Sequence, residues 1–199
     1  MAETHPDWAL GFQDETWWSR TAQPQLHAFC EPDAPLKLEE KVVPKTDPDP
    51  KALACYGVLW RTSGDDPDEV WLRFVDGQPV SGITTQFLAY CCDRLAERGK
   101  RAWLLVWDNA SWHLSREVKR WIATHNRTVK HKQPGVRIIS CHLPTKSPWL
   151  NPIEPHWIHG KRRVLEPARL LSAAEVERRV CATFSCSVEA HLAVPEKAT

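Results

Sequence analysis

Three acidic residues of this 199-residue chain stand where the sequence signals element boundaries, and carboxylates so placed could hold metal ions. Asp14 closes a segment, 7–14, in which Trp8, Leu10 and Phe12 alternate with smaller or polar residues, the period of a half-buried strand. Asp108 directly follows Ala102–Trp107, a continuous apolar run of the kind covered on both faces of a sheet. It therefore lies at a strand's carboxyl end, where open α/β sheets place their ligands. Glu154 falls in the first turn of a helix starting near Asn151. Carboxylates suit Mg²⁺ or Mn²⁺, hard ions that take oxygen donors. Two such ions about 3.5–4 Å apart can serve an in-line phosphoryl displacement, one on the attacking oxygen and one on the leaving oxygen.

The elements around these residues must bring them together. Segments 52–60 and 69–75 are β-rich and separated by a Gly-, Asp- and Pro-containing stretch, so they are expected to form an antiparallel hairpin. A short strand at 26–30 and a proline-rich loop over 31–51 (Pro32, Pro35, Pro44, Pro48, Pro50) precede it. Ile83, Phe87, Cys91 and Leu95 recur every four residues, and Gly99 follows Arg98 where such a helix would stop. A basic helix from about Ser115, a strand near 136–141 and a turn-rich stretch over 144–152 come next. The last two helices start near Asn151 and Ser172, the second with the capping box Ser172-Ala-Ala-Glu175. The order β, hairpin, α, β, α, β, α, α describes a mixed α/β sheet. Its first three strands are antiparallel, βα crossovers follow, and helices cover both faces. The whole of 1–199 is expected to be a single domain, with 165–199 a C-terminal helix and tail.

Composition narrows the function classes. The longest apolar run is about a third of a membrane-spanning helix, so no membrane role is expected. Seven cysteines, odd in number and without a CxxC pair, fit a reducing, cytoplasmic compartment better than a disulfide framework. The net charge of +1 conceals an asymmetry. Between Glu31 and Asp76 eleven acidic residues face six basic ones, whereas between Asp93 and Arg137 eleven basic residues face four acidic ones. A basic surface beside buried carboxylates suits an enzyme acting on a polyanion.

Each acidic residue also has a plainer explanation. Asp14 could simply end a strand, with Glu15 an equally acidic neighbour. Asp108 and Asn109 could form a turn. Asn151, Pro152 and Glu154 could make an N-cap, an N1 proline and a capping box.

Two long motifs weigh against those readings. Trp107-Asp-Asn-Ala-Ser-Trp-His113 and Leu143-Pro-Thr-Lys-Ser-Pro-Trp-Leu-Asn-Pro-Ile-Glu-Pro-His-Trp157 resemble the bacterial insertion-sequence branch of the Tc/mariner DDE transposases. That family carries Asp-Asn-x-x-x-His and Leu-Pro-x-x-Ser-Pro-x-Leu-Asn-Pro-Ile-Glu-x-x-Trp. Gly11-Phe-Gln-Asp-Glu15 is similar to the strand bearing the family's first Asp. The resemblance implies a ribonuclease-H-like fold and DNA transposition through strand cleavage and strand transfer. It implies two Mg²⁺ or Mn²⁺ ions held by Asp14, Asp108 and Glu154. It further implies element ends and target DNA as partners, a homodimer in the active complex, and a bacterial, nucleoid-associated location. Asn109 and His113 would support the ligands or contact DNA. Arg116, Lys119, Arg120 and Lys161 would contact phosphates, and Trp157 would pack beneath the site.

The sequence departs from the family in two ways. Forty-five residues lie between Asp108 and Glu154, a longer gap than is usual in mariner-type members, with the excess near 124–135. The first catalytic strand starts close to Met1, so the helix-turn-helix module of full-length members is expected to be absent from this chain. The rival expectations are an inactive remnant that binds DNA or a partner through its basic face, and a haloacid-type phosphatase. The second would need Asp-x-Asp after the first strand, where Asp14-Glu-Thr stands. A zinc set from Cys141, His142, His156 and His159 lacks knuckle spacing.

Overall fold

A computed structural model describes residues 5–24, 40–61, 67–131 and 135–194. Its six strands are β1 (Trp8–Ser19), β2 (Ala52–Arg61), β3 (Glu69–Asp76), β4 (Ala102–Trp107), β5 (Arg137–His142) and β6 (Leu192–Ala193). They form one sheet in the order β5-β4-β1-β2-β3-β6. β1 pairs antiparallel with β2, and β2 with β3, while the β1–β4, β4–β5 and β3–β6 pairs are parallel. The mixed sheet expected from the sequence is therefore present. The tail is more ordered than expected, because β6 joins the sheet beside the end of β3. The strand expected at 26–30 and the first part of the proline-rich loop lie outside the described residues. Its remainder, 40–51, holds no helix or strand. Buried Arg20 anchors this segment at the end of β1 by pairing with Asp47 at 2.7 Å.

Four helices cover the sheet: α1 (Ser81–Glu97), α2 (Arg116–His131), α3 (Ile153–Val164) and α4 (Ala173–Thr183). Strand alternation sends consecutive residues to opposite faces and so builds two separate cores. One core joins Tyr56, Trp60, Trp71, Trp103, Leu105 and Trp107 to Ile83, Phe87 and Cys91 of α1 and Val118 of α2. The other joins Trp18, Cys55, Leu59, Leu72 and Phe74 to Ile153 and Trp157 of α3 and Val176 and Val180 of α4. The four-residue recurrence in α1 is its buried stripe, and Gly99 ends the helix at a φ of 72°. α2 has the opposite character: Val118 is its one fully buried residue, and its basic residues line the outer surface. Among the described residues no helix is long and apolar enough to cross a membrane.

Candidate active site

β1 continues five residues past Asp14, so Asp14 lies inside the strand rather than at its end. The cause is the long antiparallel ladder with β2, which runs unbroken from Leu10 to Ser19. Asp14 and Glu15 consequently point to opposite faces of the sheet. Asp14 shares its face with Phe12 and Trp18 and meets α3. Glu15 shares the other face with Gln13 and meets the loop after β4. The last parallel pair of β1 and β4 is Phe12 with Val106. Asp14 stands two residues further along β1, and Asp108 two residues beyond Val106, just past the end of β4, so the two are about level.

On the α3 face, the Trp157 indole N–H donates to Asp14 Oδ2 at 2.9 Å. The ring has room because residue 57, directly opposite Asp14, is glycine: a Cβ there would lie 2.3 Å from Trp157 Cη2. The cap expected at Asn151 is not made. Its amide donates instead to the Gln13 backbone carbonyl at 3.1 Å, and α3 has no side-chain N-cap bond. That contact pins the start of α3 to β1 and sets Glu154 close enough to raise the Asp14 pKa. Burial pushes the Asp14 carboxyl up to about 7, the negative charges of Glu15 and Glu154 add to this, and the Trp157 bond opposes it. Among the described residues the Glu154 carboxylate accepts no hydrogen bond, so it does not cap the helix.

The other face carries a hydrogen-bonded chain in which His113, expected to support a ligand or contact DNA, joins Asp108 to Glu15, a link the sequence did not indicate. His113 lies fully buried, stacked on Trp107 with centroids 4.5 Å apart. Its Nδ1 is 2.8 Å from Asp108 Oδ1, and its Nε2 is 3.0 Å from Glu15 Oε1. Burial alone would lower the imidazole's pKa, but the hydrogen bonds to Asp108 and Glu15 raise it to about 9. His113 is therefore an imidazolium at neutral pH, donating from both nitrogens. The Trp112 indole donates to Glu15 Oε2 at 3.2 Å. In return, His113 holds Asp108 below the usual carboxylate range, helped by the Ala110 backbone N–H. Both of these bonds use Oδ1, and the half-exposed carboxylate keeps Oδ2 free of them.

The remaining candidates have separate places. Asn109 donates to the Leu143 carbonyl at 2.6 Å, fixing one wall of a cleft lined by Asp108, Lys146 and Pro148. Arg116, Lys119 and Arg120 are exposed on the first turns of α2, just beyond His113. Among the described residues they have no carboxylate partner, whereas Arg61, Arg98 and Arg169 are each paired. Lys161 is not beside Asp108: it lies two turns up α3, at a cavity it shares with Trp17, Arg20 and Lys41. Cys141, His142, His156 and His159 do not assemble as a ligand set. Trp157 was legible in the sequence as a residue sharing the Glu154 face, though not as a donor to Asp14. Glu15 gave no sign of a partner 98 residues away.

The residues suit a hard divalent cation. Asp14 and Glu154 repel one another, and among the described residues no cationic side chain is bonded to either; the donors are all oxygen, and Asp108 keeps an oxygen in reserve. Among the described residues no three His, Cys, Asp or Glu side chains already form a closed ligand group, so the carboxylates would have to draw together around an ion.

The Trp157 bond is expected to show itself as a pH-dependent effect. Asp14 has a raised folded pKa, so its contribution to stability is full below about 3.8 and is lost as pH rises through about 7. Trp157→Phe keeps an aromatic side chain but removes the donor to the ionised carboxylate, together with part of the indole packed over Gly57. Beyond a packing loss common to both conditions, it should cost up to about 1.5–3 kcal/mol more at pH 8 than at pH 5, the range for a hydrogen bond to a charged group. Urea unfolding at the two pH values checks this, and equal losses would assign the effect to ring shape alone.

Residues 80–177 match the family model described as DDE superfamily endonuclease. No curated protein matches the sequence. Among solved structures, the Mos1 Strand Transfer Complex aligns with 89% of this chain and 47% of that one, at a TM-score of 0.58 and 17% identity. The Mos1 mariner paired end complex with Mn aligns with 88% of this chain and 48% of that one, at 0.59 and 17%. The corresponding Mg complex gives 89%, 48%, 0.59 and 17%. This chain thus spans about half the length of those it matches, and at such identity the likeness is one of fold. The sheet order and the comparisons converge on a ribonuclease-H-like fold shared with the Mos1 transposase, in which residues 80–177 match the DDE superfamily endonucleases.

Proposed function

We propose that this chain is the catalytic part of a DNA transposase of the bacterial insertion-sequence branch of the Tc/mariner group, with Asp14, Asp108 and Glu154 holding two divalent ions, Mg²⁺ or Mn²⁺. The observation that supports this reading is the closeness of Asp14 and Glu154, from β1 and α3, with Asp108 level with Asp14 along the strands and bonded to His113 on the other face. The match of residues 80–177 and the Mn and Mg complexes of Mos1 support it. The reaction is hydrolysis of one phosphodiester at an element end, followed by attack of the freed 3′-hydroxyl on target DNA. Held by these carboxylates, two such ions would supply activation of the attacking oxygen and stabilisation of the leaving one.

The chain's own residues prepare the site for that chemistry. His113 clamps Asp108 through Oδ1 and turns its second oxygen to the cleft. Trp157 fixes Asp14, and Asn109 holds the 143–148 loop as the opposite wall. Arg116, Lys119 and Arg120 present unneutralised charge to the phosphates entering beside Asp108, with Lys161 further along. The paired-end complexes of Mos1 support DNA ends as partners and a homodimer as the working unit.

Two measurements test this reading. Calorimetric titration of Mn²⁺ should show binding to the parent and weakened binding to Glu154→Gln, which removes one ligand charge. Equal binding by both proteins, or none by either, would rule out the three-carboxylate site. DNA binding should be sequence-tolerant and steeply salt-dependent, because the exposed basic face of α2 contacts phosphates rather than base edges. Log affinity should fall with log salt at a slope of about −0.9 per phosphate neutralised. Tight, salt-insensitive binding to one sequence would instead require a dedicated base-reading element.

A further inference from the structure

The turn that ends α4 brings two cysteines together behind the candidate site. The Cys186 backbone N–H donates to the Cys181 carbonyl at 2.9 Å. The Cys186 thiol donates to the same carbonyl at 3.6 Å. A backbone link of this kind holds the two residues at a separation of the order that a disulfide spans, about 4.4–6.8 Å between Cα atoms. Between them, Ser185 adopts a left-handed φ of 54°, which folds the chain back so that Cys186 returns to the Cys181 carbonyl.

We propose that Cys186 and Cys181 form a modification site for small hydroperoxides and close to a disulfide across this turn. The Cys186 sulfur attacks the peroxide: an S–O bond forms, the O–O bond breaks, and the departing oxygen leaves as water or an alcohol. The Cys181 sulfur then attacks the resulting sulfenic acid, so that the S–S bond forms, the S–O bond breaks and a second water leaves with the remaining proton. Two electrons pass from the thiols to the peroxide.

Chemistry separates Cys186 from the buried Cys55, Cys91 and Cys92. Cys186 is partly exposed, and its interaction with the Cys181 thiol holds it below the usual thiol range. Cys55 and Cys92 are buried and pushed up to about 12, and Cys91 is raised as well, which leaves little thiolate to react. The turn also matters to the site. Phe184, between the two cysteines, packs edge-on against Trp157 with centroids 5.6 Å apart and faces Gly160. Trp157 in turn holds Asp14. Closing the disulfide would therefore fix the ring that backs this support.

Peptide mapping after hydrogen peroxide treatment of the folded chain tests the proposal. Trypsin releases residues 180–197, a peptide whose two cysteines are Cys181 and Cys186. It should become lighter by two hydrogens, revert with dithiothreitol, and react at least about tenfold faster than the single peptide, 74–94, that carries Cys91 and Cys92. Cys181→Ser should stop at a sulfenic acid that dimedone traps, and Cys186→Ser or Cys186→Ala should leave the peptide unchanged. Circular dichroism confirms that each variant folds. An unmodified 180–197 peptide in oxidised parent, oxidation undiminished in the Cys186 variants, or a disulfide to any other cysteine would overturn the proposal.

Discussion

Asp108→Asn will fold like the parent and lose Mg²⁺- or Mn²⁺-dependent DNA nicking by about 10²–10³-fold or more, the loss expected on removing one preorganised electrostatic group. The substitution nearly preserves shape. The amide oxygen can still accept from the Ala110 N–H and from His113, so the loop after β4 should keep its conformation. What disappears is the negative charge on the oxygen that faces the cleft. Plasmid relaxation by parent and variant, with thermal unfolding as the fold control, measures the effect. Nicking by the variant within about threefold of the parent would remove Asp108 from the site, since groups of this kind cost far more than that. It would also favour the rival in which the chain only binds DNA.

His113→Leu will be the most destabilising single change at the site. Glu15, whose side chain is 8% exposed, would lose its cationic partner and stay buried with Trp112 as its remaining donor from the loop after β4. Breaking a buried pair from one side costs about 3–5 kcal/mol, because a charge is left uncompensated. The pH dependence identifies the cause. His113 has a folded pKa raised from 6.5 to about 9, so its contribution is full below 6.5 and is lost as pH rises through about 9. The stability gap between parent and variant should thus be widest near pH 6 and narrower at pH 10. A gap that stays constant over that range, read by urea unfolding, would show that His113 is neutral and acts by shape. Nicking should fall as well, because Asp108 would lose the donor that orients it.

Much of this arrangement is local and was therefore legible in the chain itself. The apolar run of β4, the four-residue stripe of α1 and the Ser172–Glu175 capping box each depend on neighbours within a few residues, and all three occur as expected. The order of elements along the chain and the mixed character of the sheet followed from those elements, and the two motifs around Asp108 and Glu154 lie in the segment that matches the endonuclease family. Position within β1 was different. Nothing between Trp8 and Ser19 marks where the strand ends, and pairing with β2 decided that Asp14 lies inside it. Asp14 and Glu15 are equivalent as neighbouring carboxylates until the sheet turns them to opposite faces. Only then does one meet Trp157, 143 residues away, and the other His113, 98 residues away. Asn151 shows the same competition from the opposite side. Its local preference is to cap α3, but the buried Gln13 carbonyl within its reach needed a donor, and that tertiary contact prevailed. Residue types and spacing thus determined which elements form and which carboxylates are candidates. Burial, charge and hydrogen bonding across the folded sheet decided which carboxylate faces which partner, because those energies depend on distances that exist only after the chain has closed on itself.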